Sequence, residues 1–288
     1  MQPLSGIRKR GIIMSSIAKK EIYQILSECD GDVGLYVEDC QTGEVFTVNA
    51  EEAFPSASVI KVPMLAVLLK DARDGLVELD TPREIAEENR VGGSGIICDL
   101  DRRFTPTLRD MAKLMIVLSD NAATNEIMDV IGMERFNRFW ADWGCSATKL
   151  MRKMMDQEAI KQGRNNYTSA ADMGRMLSAA AKNELIDAEI SKEMFDIMAA
   201  QKLQTRLPLL LPLTGGYGPD GQVPEGKVLV AHKTGSVSGI CHDAGIFELH
   251  GHRRYVVAML TRGFAKASDA TTAINRVSLA VYNGFAQA

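Results

Sequence analysis

The stretch VLVAHKTGSVSGICHDAGIFELHGHRRYVVAML, residues 228–260, decides the fold. Its apolar runs at 228–231, 244–249 and 255–260 are rich in β-branched and aromatic residues and are separated by Gly-containing turns. That pattern predicts three strands. No helix-bearing crossover lies within the stretch, so the strands pair antiparallel. A Pro/Gly-rich connection, 207–224, precedes them, and an amphipathic helix over 268–284, with Ala273, Val277, Leu279 and Val281 among its apolar members, follows. At the other end of the chain, Ile17, Ile22, Ile25 and Leu26 fall near one helical face, and Asp30-Gly31-Asp32 stops that helix. Residues 33–38 and 45–48, around the turn Gln41-Thr42-Gly43, read as a hairpin. Between them lies a block with almost no strand-like runs and with helical periodicity at 59–71, 107–118, 122–131, 134–141, 170–182 and 189–201. The expected fold class is therefore α+β: a five-stranded antiparallel sheet flanked by the terminal helices, with a large all-helical insertion. The expected domains are a discontinuous sheet domain, 15–54 with 205–288, and a helical domain, 55–204. Residues 1–14 are expected to be a disordered or non-native extension, with Met14 a candidate start. A ligand site is expected in the cleft between the sheet edge and the helical insertion.

Composition excludes several function classes. Over 288 residues, 46% hydrophobic and 24% charged residues are those of a soluble globular chain rather than a disordered or fibrous one. A formal charge of −4 offers no whole-chain attraction for nucleic acid or anionic lipid, so no nucleic acid partner is expected. No run of 18 apolar residues occurs, so no membrane span is expected. Arg8, Lys9 and Arg10 precede only a short apolar run before Ser15 and Ser16, so no export signal is visible and a cytoplasmic location is expected of the chain as written. Cys29, Cys40, Cys98, Cys145 and Cys241 are scattered and form no CxxC pair, which suggests neither a disulfide framework nor a zinc site. His250-Gly251-His252 is better read as a hairpin tip than as a chelate with His242, and Gly92-Gly93-Ser94-Gly95 as a turn at the rim of a cleft. No cofactor and no metal are expected, and a monomer is expected.

Three short polar signatures remain, in order: Ser58-Val59-Ile60-Lys61, Ser119-Asp120-Asn121 and Lys233-Thr234-Gly235. Each is commonplace alone: a helix cap with a solvated lysine, an N-cap pair, a strand end with a turn. Together they suggest nucleophilic chemistry. Ser58 stands at a helix start, and an i,i+3 spacing brings Lys61 over its hydroxyl. Apolar neighbours Phe54, Pro55, Ile60, Val62 and Pro63 lower the lysine pKa toward a base that activates the serine. Ser119 is placed to shuttle a proton between Lys61 and a leaving nitrogen, Asn121 to bind a substrate amide, and Asp120 to buttress its loop. Lys233 and Thr234 are placed to bind a carboxylate. Gly235 admits a close backbone approach, and the amides of Ser58 and Ser236 form a candidate oxyanion hole.

The ordered motifs SVIK, SDN and HKTG resemble those of the penicillin-recognising serine hydrolases, specifically the class A β-lactamase type. The resemblance extends over nearly the whole chain after Met14, through TPTLRDMAKLMIVLSDNAATN and TSAADMGRML. It implies opening of a β-lactam, or of a related acyl-D-amino-acid-type amide, through a Ser58 acyl-enzyme. Two departures bear on this. The family's deacylating glutamate, counted back without gaps from Thr168, falls on Lys153, and the nearest acids are Asp156 and Glu158. Asp156 is the candidate base, its plainer role being an i,i+4 partner of Arg152. Within 239–243, where such enzymes often place an arginine for the substrate carboxylate, Cys241 or His242 stands instead. The expected activity is that of a serine β-lactamase. The alternatives are a D-alanyl-D-alanine carboxypeptidase-like penicillin-binding protein, a small-substrate esterase or amidase, and a β-lactam-binding module that does not turn over. The family is usually exported.

Overall fold

A computed structural model describes residues 16–286; the expectation for residues 1–14 lies outside the described residues. Helix α1 (Ser16–Ser27) leads into β1 (Asp32–Asp39) and β2 (Val45–Val48). Strands β3 (Phe54–Pro55) and β4 (Tyr167–Thr168) form a separate two-stranded ladder. The helical block contains α2 (Lys61–Arg73), α3 (Leu108–Val117), α4 (Asn121–Ile131), α5 (Met133–Asp142), α6 (Gln157–Lys161), α7 (Ala170–Ala181) and α8 (Ala188–Ala199). The chain closes with β5 (Leu229–Val237), β6 (Ile240–Leu249), β7 (Arg253–Arg262) and α9 (Ala267–Ala286). The large sheet has five strands in the order β2-β1-β7-β6-β5, each pair antiparallel. The expected α+β architecture stands.

Both faces of the sheet are buried, and they serve different cores. Val33, Leu35 and Val37 of β1, with Tyr255, Val257 and Met259 of β7, face a cluster that includes Ile22 of α1 and Ile274, Val277 and Val281 of α9. Their alternates Tyr36, Val256, Ala258 and Leu260 join the helical core of α2, α3, α4, α7 and α8. A sheet covered on both faces needs apolar side chains at successive positions, which is why these strands read as runs rather than as alternation.

Three local differences from the sequence reading have physical causes. The first motif does not begin an α-helix directly: Ala57–Ile60 is a 3-10 turn, entered through Ala57 at φ 44°, and α2 starts at Lys61. Strand β5 continues through Lys233-Thr234-Gly235 to Val237, because its register with β6 is unbroken from Leu229↔Glu248 to Val237↔Ile240. Helix α6 was unforeseen; at five residues it is too short to carry a periodic signal.

Leu35, fully buried in β1 beside the edge strand β2, is a direct test of this packing. Leu35→Ala is expected to lower the unfolding free energy by about 2–5 kcal/mol with an unchanged denaturant m-value, as measured by urea titration followed by circular dichroism.

Candidate active site

Strand β5 lies at an edge of the sheet, and it is pressed against the turn that carries Ser58. A Cβ on Gly235 would stand 3.1 Å from the backbone nitrogens of both Ser58 and Val59 and 3.3 Å from the Cβ of Ala57. A side chain there would crowd the serine turn, a contact that glycine avoids. The result is a cavity of about 250 Å³ whose walls include Ser58, Ser119, Asn121, Thr234 and Ser236, residues from all three motifs.

Lys61 and Lys233 are both fully buried in this seam. The Lys61 amine lies 2.7 Å from Ser119 O, 2.9 Å from Asn121 Oδ1 and 3.1 Å from Ser119 Oγ, three uncharged oxygens. Desolvation, reinforced by the nearby charge of Lys233 and opposed by Asp120, drives the Lys61 pKa well below the usual lysine value. Its N–H groups donate to all three, Ser119 Oγ included. Lys233 donates to Thr234 O at 2.7 Å. Burial, with a smaller contribution from Arg206, lowers its pKa to about 7 against the raising influence of Asp243.

The second motif is held as the sequence suggested for Asp120. Its carboxylate caps α4 through Ala123 N (3.0 Å) and accepts from Ile96 N (2.6 Å) and Ile97 N (2.9 Å). Asn121 donates from Nδ2 to Gly92 O at 2.9 Å, so both ends of its amide are engaged. Three non-glycine residues of the cavity wall adopt left-handed backbone: Ala57 (φ 44°), Ser119 (φ 57°) and Met155 (φ 63°). Such conformations cost about 1–3 kcal/mol each and persist only where surrounding contacts enforce them.

Asp156 is not brought into the cavity wall. Its carboxylate caps α6, accepting from Ala159 N at 2.9 Å, because that short helix needs an N-cap. Nor does Arg152 pair with it by hydrogen bond: the guanidinium donates to Asn165 Oδ1 (3.0 Å) and Lys153 O (2.9 Å). Glu158 is exposed and bonds to Gln162. Lys153, the position reached by counting, turns away to Asn89 Oδ1 and Asp129 Oδ2, at 2.8 and 2.7 Å. Met154 and Met155 line the cavity instead. Two asparagines set this register: Asn125 grips the Met154 main chain at both N (2.7 Å) and O (3.3 Å), and Asn166 accepts from the amides of Met151 and Arg152. Among the described residues, no carboxylate lines the cavity.

His242 supplies no positive charge. Its Nδ1 accepts from Thr261 N (3.0 Å) and its Nε2 donates to Pro55 O (2.8 Å), the neutral tautomer, and burial lowers its pKa to about 4. A guanidinium that carries no motif signal, that of Arg206, is buried behind this end of β5. It donates to Gly235 O (2.7 Å), to His242 O (2.6 Å) and to Ser236 Oγ. An arginine at the mouth of an irregular connection carries no periodic or motif signal; only the meeting of that connection with β5 and β6 exposes its place. Among the described residues no three His, Cys, Asp or Glu side chains converge as a metal site requires.

Residues 17–285 match the model of the beta-lactamase enzyme family. The chain belongs to that family. It is 26% identical to beta-lactamase SME-1 of Serratia marcescens over 180 residues, 61% of this chain and 60% of that protein. To a beta-lactamase of Streptomyces fradiae it is 25% identical over 252 residues, 84% of this chain and 77% of that one. The chain thus spans about three fifths of the first of these family relatives. Among solved structures, PBP-A superposes with a TM-score of 0.82 at 26% identity, over 95% of this chain and 97% of that one. A beta-lactamase from Sphaerobacter thermophilus shares the fold, with a TM-score of 0.82 at 24% identity, over 93% of this chain and 96% of that one.

A buried amine with a lowered pKa destabilises the fold most where the folded and unfolded forms are both protonated, and the penalty is relieved as pH rises through the window in which the unfolded form binds more protons. For Lys233 that window runs from about 7 up to the usual lysine value, and stability rises with pH across it. Lys233→Met is therefore expected to raise the unfolding free energy at pH 6 by about 1–4 kcal/mol, with the gain shrinking toward pH 10, as read by denaturant titration at both pH values.

Proposed function

We propose that this protein is a serine hydrolase of the β-lactamase type, which opens a β-lactam by forming an ester on Ser58 and releases the acyl group slowly. The observation that carries this reading is the buried Lys61 amine, its pKa driven well below the usual lysine value, hydrogen-bonded to Ser119 beside a cavity that Ser58 and Ser119 line. Lys61 takes the proton of Ser58 as Oγ attacks the lactam carbonyl carbon. The amides of Ser58 and Ser236 receive the developing oxyanion, an interaction worth about 3 kcal/mol per donor. Ser119 passes the proton from Lys61 to the departing lactam nitrogen, which breaks the C–N bond and leaves the ester. Lys233, Thr234 and Ser236, with Arg206 behind them, present the charge and donors for the substrate carboxylate. A solved structure of a PBP-A variant, 25% identical to this chain, is described as an acyl-enzyme complex with penicillin G.

Slow release follows from the cavity wall. Hydrolysis of the ester needs a water held and deprotonated by a base, and Met154 and Met155 stand where the loop meets the cavity. The same observation favours a second reading, a D,D-peptidase-like penicillin-binding protein whose acyl group passes to water or an amine. The two are separated by following chromogenic cephalosporin hydrolysis and fluorescent penicillin labelling in parallel. Slow turnover of the cephalosporin through a labelled intermediate supports the lactamase; stable one-to-one labelling without turnover supports the peptidase; neither, with Ser58→Ala indistinguishable, removes both.

Two further outcomes are expected. Met154→Glu, which puts a carboxylate on the cavity wall, is expected to raise the deacylation rate by about 10²-fold or more, measured as steady-state hydrolysis. Acylation by carboxylate-bearing substrates needs Lys61 neutral and Lys233 charged. Its second-order rate is thus expected to fall as pH rises through about 7, where Lys233 loses its proton, in stopped-flow measurements across pH.

A further inference from the structure

Met155 is a large apolar residue in an expensive place. Its backbone is left-handed at φ 63°, its side chain is 44% exposed, and it lines the same cavity as Ser58. Nothing about folding asks for this: an apolar side chain gains little where it stays half in water, and the left-handed backbone costs stability that glycine or asparagine would not. What it gains is a contact across the cleft. A Cβ on Gly93 would stand 2.7 Å from Met155 Sδ and 3.1 Å from Met155 Cε, so the thioether rests against the bare backbone of Gly93. Gly93 belongs to the opposite wall, the loop that Asn121 and Asp120 tie to the second motif through Gly92 O, Ile96 N and Ile97 N. The loop bearing Met155 is anchored through Asn125, one turn along the same helix, and through Asn166. Two walls, both tied to α4, therefore meet at Met155 and Gly93, over a cavity of about 250 Å³.

We propose that Met155 is a hydrophobic cap on the cleft that sets the lifetime of the Ser58 ester, lying across to Gly93 and keeping bulk water from the ester carbonyl. The inference rests on the reading of Ser58 as the acylated nucleophile. The step it restrains is attack of a water oxygen on that carbonyl, which breaks the bond to Ser58 Oγ, returns a proton to Ser58 and releases a carboxylic acid. Methionine suits the part, because its unbranched thioether can swing aside to admit a substrate and close again behind it.

The test compares the parent chain with Met155→Gly and Met155→Leu, using benzylpenicillin labelling followed by intact-protein mass spectrometry. Glycine removes the cap and relieves the left-handed backbone, so that variant is expected to keep a thermal midpoint at or above the parent's and to lose the ester roughly tenfold faster. Leucine retains an apolar cover and is expected to keep the parent lifetime. Equal lifetimes for parent and Met155→Gly, both folded, would overturn this inference alone. Absence of any ester on the parent chain would overturn the reading of Ser58 and this inference with it.

Discussion

Two lysine amines share one dry seam, and the arrangement around the site answers to that constraint. An ammonium removed from water without a carboxylate in contact is costly, and two such groups near each other cost more. That cost shows in Lys61, whose pKa burial and the Lys233 charge drive well below the usual lysine value. Lys61 is surrounded by three neutral oxygens rather than by an acid. Lys233 keeps Asp243 on the neighbouring strand as its electrostatic counterweight. The two amines thus sit in different environments, one among neutral oxygens and the other balanced by an acid.

The seam exists because two layers with separate cores close on each other at β5. The sheet is fixed by its packing on α1 and α9, the serine turn by the helical core. Gly235 sets how close they come, and the left-handed residues Ala57, Ser119 and Met155 mark where the backbone was bent to finish the wall. Backbone strain of this kind is sustained by the stability of the layers behind it.

Much of this was legible in the sequence, and what was not has identifiable causes. The strands were readable because burial on both faces makes them continuous apolar runs, and the serine, lysine and Ser-Asp-Asn elements because their chemistry needs close spacing along the chain. Arg206 was not readable: it reaches the site from an irregular connection, and its partners Gly235, Ser236 and His242 lie about thirty residues away on two strands. The loop carrying Met154 misled a count by position, which puts Lys153 at the site. The facing of its side chains is set by long-range hydrogen bonds from Asn125 and Asn166, which no local spacing encodes. Asp156 was a reasonable candidate by proximity to that position, and it is spent on capping α6.

The central claim is that burial drives the Lys61 pKa well below the usual lysine value, and the direct measurement is its own titration. Heteronuclear NMR of the Lys61 side chain in the folded protein, assigned by comparison with Lys61→Arg, should show the amine losing its proton well below the pH at which an ordinary lysine does. An amine that stays protonated until near pH 10.4, as an ordinary lysine does, would contradict the account.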